Sequence, residues 1–435
     1  MKSGFNIKHI LFLLMLGLLS LPLIQNTFNI IKVEPLKGAI TPAADTAITV
    51  DGWFSGDYQS QKETYLNEAF GLRNIFIRFN NEIAFKFYNK ALANNVVIGK
   101  QNYLYEEDYI KAYYGRDFIG MDSISKRMHK LKFLQDTLAK LNKTLIFVIA
   151  AGKGTFYPEY FPDNLKSEKG PTNYEGYVKL ANELNINYID FDKYFVENKN
   201  KSKYLLYPKY GIHWSYYGEC LAADSIVKYI EKKRNIRMPH VSWNDIEIDK
   251  PRERDADIED GMNLLFNLRG PELAYPKLIF ESDSGKAKVS SIVISDSFYW
   301  GMFNFGFSNV FSSSQFWYYN SQVYPDFYQN GLTTDQVNLR EQINKHDVII
   351  ILCTDAKLGN LGWGFIEKAY KVFTEKEVVQ HDADYYTRVK ALEDYIRTDT
   401  KWMAIVEKGA KDRGISVDSS LTLNATWYID HPSAK

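Results

Sequence analysis

Four strand-length apolar runs, at residues 144–150, 188–191, 291–294 and 348–353, constrain this chain more than any other feature. Near-continuous apolar character is the pattern of a strand covered on both faces. Apolar residues at helical spacing give helices over about 123–141, 173–184 and 215–233. Alternation of such strands and helices predicts an α/β fold, a parallel sheet with helices on both faces. Upstream, a short strand at 96–98 follows one or two amphipathic helices over 63–91 (Leu66, Phe70, Ile75, Phe79, Ile83, Phe87) that need a surface to cover. Downstream, helices near 385–396 and 402–410 form a C-terminal annex, and the stretch 238–285, rich in proline and charge, reads as a largely loop-like insertion or cap.

Residues 9–31 contain no Lys, Arg, Asp or Glu, and as a helix these 23 residues span about 34 Å, enough for a bilayer core. No small-x-small cleavage pattern follows promptly, so an uncleaved anchor over residues 1–32 is favoured over a signal peptide. Lys2 and Lys8 place the N-terminus on the cytoplasmic side and the rest outside, which for a bacterial chain is the periplasm. Residues 33–50, with Pro35, Gly38 and Pro42, read as a linker, residues 51–411 as the main folded domain and 412–435 as a tail.

Composition narrows the function further. Lys+Arg and Asp+Glu are both 53, so no net field attracts a polyanion and nucleic acid is not an expected partner. Cys220 and Cys353 lie far apart in apolar surroundings and read as buried free thiols. The segment Gly152-Lys153-Gly154-Thr155 lacks the first glycine and the terminal Ser/Thr of a phosphate loop. The acidic run 255–261 has Asp260 where a calcium loop needs its glycine, and is taken as a solvated loop. No metal or cofactor is expected.

Ser297 stands just past the end of the 291–294 run, in Ser295-Asp296-Ser297-Phe298, where open α/β sheets place ligands. A serine hydroxyl needs a neighbouring base, and His213, in Tyr210-Gly211-Ile212-His213-Trp214 before a helix, has the best setting of the seven histidines. Asp296 and Ser297 as a simple helix cap is the competing reading. Trp300, Trp317 and Tyr318 fall in the aromatic stretch 298–324. Most of that stretch is expected to pack the sheet, with Trp317 and Tyr318 as the exposed exceptions.

In order, Gly99-Lys100…Leu104-Tyr105, Lys153 with Tyr157-Pro158-Glu159…Pro162, His213-Trp214 and Asp296-Ser297-Phe298 resemble the alginate O-acetyltransferase branch (AlgJ and AlgX type) of the SGNH-hydrolase-like proteins. The resemblance covers most of residues 51–411 and implies a serine-dependent O-acyltransferase, with Ser297 as nucleophile and His213 as base. It further implies acetylation of a polysaccharide hydroxyl from the bacterial inner membrane, the acetyl group arriving through a multi-spanning membrane acyltransferase. The family's Asp-x-His-Trp is broken here, with Gly211 in the acid's place. Asp190, Asp192 and Asp355, each near a strand end, are the candidate replacements. Asp296, Lys153 and Gly301 are candidate oxyanion or supporting groups, and Trp214, Tyr157, Trp300, Trp317 and Tyr318 candidate substrate contacts. An acetyl esterase with the same residues, or a glycan-binding scaffold that has lost its acid, are the alternatives.

Overall fold

The computed structural model describes residues 7–38, 42–374 and 383–430. Ten strands occur among them: β1 Val96–Ile98, β2 Leu104–Glu106, β3 Thr144–Ala150, β4 Tyr188–Asp190, β5 Val241–Asp249, β6 Leu273–Phe280, β7 Ser290–Ser295, β8 Ser313–Tyr318, β9 Gln322–Tyr324 and β10 Val348–Thr354. Six form one sheet in the order β4-β3-β10-β7-β8-β9. All neighbours are parallel except β8 and β9. This is the predicted α/β architecture. β3 shows why its sequence is apolar throughout: Ile146, Val148 and Ala150 enter one core while Leu145, Phe147 and Ile149 enter the other. Period-two side-chain alternation sends neighbours to opposite faces, and both faces are covered.

The helix Met121–Lys140 covers one face with Ile124, Met128, Leu131, Leu134 and Leu138, and the helix Tyr216–Arg234 covers the other with Ala222, Ala223, Ile226, Val227 and Ile230. At about 1.5–3 kcal/mol per fully buried large aliphatic side chain, these stripes dominate the stability of the unit. Both cysteines are buried and free.

The region 238–285 is more ordered than its composition suggests. β5 and β6 pair antiparallel from Val241–Phe280 to Asp249–Leu273, and the short helix Asp257–Met262 lies between them. Asp245, Glu247, Asp249, Pro276 and Lys277 belong to this two-stranded ribbon, while Pro239, Pro251 and Pro271 stand outside its strands, as expected of loop.

Four helices open the chain: α1 Ile7–Phe28, α2 Val50–Ser55, α3 Asp57–Glu68 and α4 Arg73–Tyr88. α1 is long and apolar enough to cross a membrane. The linker is tied down: Arg78 donates to the Glu34 and Pro35 carbonyls, and Lys37 pairs with Asp260 at 2.6 Å. A boundary between compact units falls at Phe373–Thr374 rather than near 411. In the second unit, residues 417–430 are helical, with Leu421 and Ala425 buried beside Ile396 and Val406. Residues 431–435 of the expected tail lie outside the described residues.

Candidate active site

The carboxyl ends of β3, β7 and β10 converge on one edge of the sheet, the edge at which open α/β folds bind ligands. β7 ends at Ser295, and Asp296 caps the 3₁₀ turn that begins at Ser297 by accepting from Phe298 N–H at 3.0 Å. The other Asp296 oxygen accepts from the Thr354 backbone and hydroxyl, at 2.9 and 3.1 Å. Asp296 is therefore a clamp between β7 and β10, and its fully hydrogen-bonded carboxylate sets where Ser297 stands.

His213 arrives from the loop before the helix Tyr216–Arg234, which Ser215 caps through Gly218 N–H. His213 Nε2 lies 2.8 Å from Ser297 Oγ. Trp214, wholly buried, locks the two loops together by donating its indole N–H to the Phe298 carbonyl at 3.2 Å. From below, Lys153 Nζ donates to the carbonyls of Lys209 (2.8 Å) and Gly211 (2.5 Å). Burial pulls the Lys153 ammonium down to about 7 against the pull of Asp257 and Glu106. Lys153 thus fixes the histidine loop rather than reaching Ser297.

The third member is Asp257. Its Oδ2 lies 2.5 Å from His213 Nδ1, and its Oδ1 accepts from Ile212 N–H at 2.8 Å. The three side chains form a line, carboxylate to imidazole to hydroxyl, which is the geometry of a Ser-His-Asp triad. With Asp257 accepting from Nδ1–H, the Nε2 lone pair faces the hydroxyl. Burial, reinforced by Arg254, lowers His213 to about 4 despite its carboxylate partner, so the ring is neutral at neutral pH. Burial alone would raise Asp257, but the facing His213 and the Ile212 N–H outweigh it and keep the carboxylate below its ordinary value.

None of the three acids expected from the sequence bonds His213 among the described residues. Asp190 caps the helix Phe191–Asn198 and accepts from the Tyr174 hydroxyl, and two strands, β3 and β10, separate β4 from β7. Asp192 accepts from Gly152 N–H. Asp355 follows β10, beside β7, but its carboxylate turns to Thr155 and Ala356 N–H. Asp257 instead comes from the run taken as solvated loop, which folds over the sheet edge. Gly211 explains the exchange. A Cβ there would meet the Arg254 and Asp255 carbonyl oxygens at 2.7 and 2.8 Å, so the segment that delivers Asp257 occupies the space an acid at 211 would need. A glycine in the acid's place was the one available sign that another backbone passes close by.

A cleft of about 720 Å³ opens on Ser297, His213 and Asp257, with Tyr109, Tyr319 and Lys357 among its walls. Of the aromatic stretch 298–324, Tyr319, and not Trp317 or Tyr318, lines the cleft. Trp317 points into the core at 1% exposure, and Tyr318 is half-buried against Trp300. The chain leaves β8 through two left-handed residues, Tyr319 and Asn320, and that turn carries Tyr319 to the cleft. Trp300 packs on Phe316 and Tyr324, and Tyr157 is buried beneath Tyr103. Gly301 faces the Glu219 carboxyl in a separate cavity, away from Ser297. Arg254 was not foreseen; it donates to the Ser297 carbonyl at 2.5 Å.

The fold is an SGNH-like α/β sheet, and at its carboxyl edge a carboxylate, an imidazole and a serine hydroxyl stand in line. Residues 96–244, about a third of the chain and including His213 but neither Ser297 nor Asp257, match the family model described as SGNH hydrolase-like domain, acetyltransferase AlgX. Three solved structures are similar at low identity. The O-acetyltransferase domain of Pseudomonas putida AlgJ is 13% identical over 68% of this chain and 98% of its own (TM-score 0.39). Bacillus cereus PatB1 is 14% identical over 62% and 100% (TM-score 0.39), and Pseudomonas aeruginosa AlgX 14% identical over 62% and 66% (TM-score 0.38). Likeness at that level is too loose to bear on activity. No curated protein matches the sequence.

Proposed function

We propose that the protein is a membrane-anchored O-acetyltransferase that passes an acetyl group through Ser297 to a polysaccharide hydroxyl on the outer, periplasmic side of a bacterial inner membrane. The observation that carries this reading is the unbroken Asp257–His213–Ser297 line at the floor of an open cleft. His213 Nε2 takes the Ser297 proton as Oγ attacks the acetyl carbonyl, and returns it to the departing group as the C–O bond to the donor breaks. The sugar hydroxyl then gives its proton to the same nitrogen while its oxygen attacks the acetyl-serine. Ser297 Oγ leaves and recovers the proton. Asp257 holds the ring and stabilises the imidazolium in both halves. The apolar α1 supports the anchor, and the donor would be delivered by a multi-spanning acyltransferase in the same membrane.

Incubation with an activated acetyl ester, with and without oligosaccharide, tests the reading. Acetylated sugar is expected. Hydrolysis alone, undiminished by sugar, would favour the esterase. A serine-directed sulfonyl fluoride is expected to label Ser297 in the native chain, with labelling lost in Ser297→Ala and reduced by at least about 10³ in His213→Ala, since each member acts only with the others. Labelling of native and His213→Ala protein at equal rates would remove His213 from the chemistry.

The base must be neutral, so kcat/KM for acetyl-ester hydrolysis is expected to hold from neutral pH down toward pH 4 and to fall below it, as His213 protonates at about 4. An acid limb at the ordinary imidazole value of 6.5 would contradict the burial argument.

A further inference from the structure

α4 has two opposite faces. On one, Asn81 donates to the Met262 carbonyl and Glu82 accepts from Leu265 and Phe266 N–H, so this face holds the segment that follows Asp257. On the other, at helical spacing, lie Phe76, Phe79 and Phe87, respectively 49, 54 and 79% exposed. Phe70, in the turn before α4, is exposed as well, its ring 6.4 Å from that of Phe76. A cluster of bare aromatic side chains on a folded domain marks a surface that something covers.

What covers it follows from α1. Only Pro22 and Gln25 of that helix are buried, and the contact is made by the turn before α4: a Cβ at Gly71 would stand 2.2 Å from the Pro22 carbonyl oxygen. Pro22 lies three residues, about 4.5 Å along the axis, inside the polar end of α1 at Gln25-Asn26-Thr27. Phe70 and the start of α4 are thereby held at the depth where a bilayer passes from acyl chains to headgroups. The chain also leaves α1 at Phe28 and reaches the cleft wall by Lys37, nine residues on, which bounds that wall to about 32 Å from the outer end of α1.

We propose that the exposed aromatic face formed by α4 and the turn before it docks on the outer surface of the bilayer, with Phe70, Phe76 and Phe79 entering the boundary between headgroups and acyl chains. The docked face holds the catalytic cleft close to the membrane, where a membrane-delivered acetyl group emerges. The proposal rests on the reading of α1 as an anchor.

The test uses the full chain in vesicles of phosphatidylcholine and phosphatidylglycerol, with a fluorophore at Phe79→Cys, Phe76→Cys or, at the far edge of the sheet, Leu141→Cys. All three sites are exposed, and Cys220 and Cys353 are buried. Emission at 76 and 79 is expected to shift to the blue and to be largely quenched by brominated lipid, with neither change at 141. Flotation with the vesicles and water-like emission at 79 would overturn docking while leaving the anchor intact. Failure to float would overturn both. Shielding of 79 without lipid quenching, together with crosslinking between chains, would assign the face to a second copy and overturn the proposal.

Discussion

Asp257→Asn is expected to lower kcat for acetyl transfer by on the order of 10⁴ while the fold is retained. The amide keeps the size of the carboxylate and can still accept from Ile212 N–H, yet it no longer fixes Nδ1–H or stabilises the imidazolium. Asp190→Asn, Asp192→Asn and Asp355→Asn should have no comparable effect on kcat, because their carboxylates face other partners. Steady-state kinetics on the four variants separates the acids. Moving the acid back to position 211 should fail: Gly211→Asp places its side chain against the Arg254 and Asp255 carbonyls, and repacking costs about 1–3 kcal/mol. The double variant Gly211→Asp with Asp257→Asn is therefore expected to be less stable and no more active than Asp257→Asn alone.

Lys153→Met is the second large effect. Its ammonium is wholly buried and serves the carbonyls of Lys209 and Gly211; the first also accepts from Leu104 N–H at 3.2 Å, and a methionine takes from the second its lysine donor. At about 1–3 kcal/mol for an orphaned buried group, the loss should be about 1–3 kcal/mol of stability, read as a lower denaturation midpoint at unchanged m. Activity should fall more than stability alone explains, since the same two carbonyls hold the loop that aims His213. A variant with native stability and full activity would show that the buried lysine is dispensable to the site.

The sheet was legible because burial on both faces leaves a mark on each strand. The runs at 144–150 and 348–353 match β3 and β10 within a residue. Ser297 and His213 were legible because each follows or precedes an element whose end is marked, by the close of an apolar strand or by a Ser-capped helix. Asp257 was not. Its run carries four acids in seven residues, as a solvent-facing loop does, and nothing local reveals that it returns to a histidine 44 positions earlier. The Trp317 expectation failed because exposure was inferred from nearness to Ser297 in the chain, whereas strand parity in β8 sends 317 into the core. Tyr319 escapes that parity by lying beyond the strand, in left-handed backbone.

The most direct test of the central claim is to follow the acetyl group itself. The full chain is mixed with an activated acetyl ester, quenched at short times and peptide-mapped, with an oligosaccharide chase in parallel. Acetyl on Ser297 that forms rapidly in the native chain, forms far more slowly in Asp257→Asn, and leaves faster with sugar present to appear on the sugar is the predicted result. Acetyl on another residue, or on Ser297 at the same rate without Asp257, would contradict it.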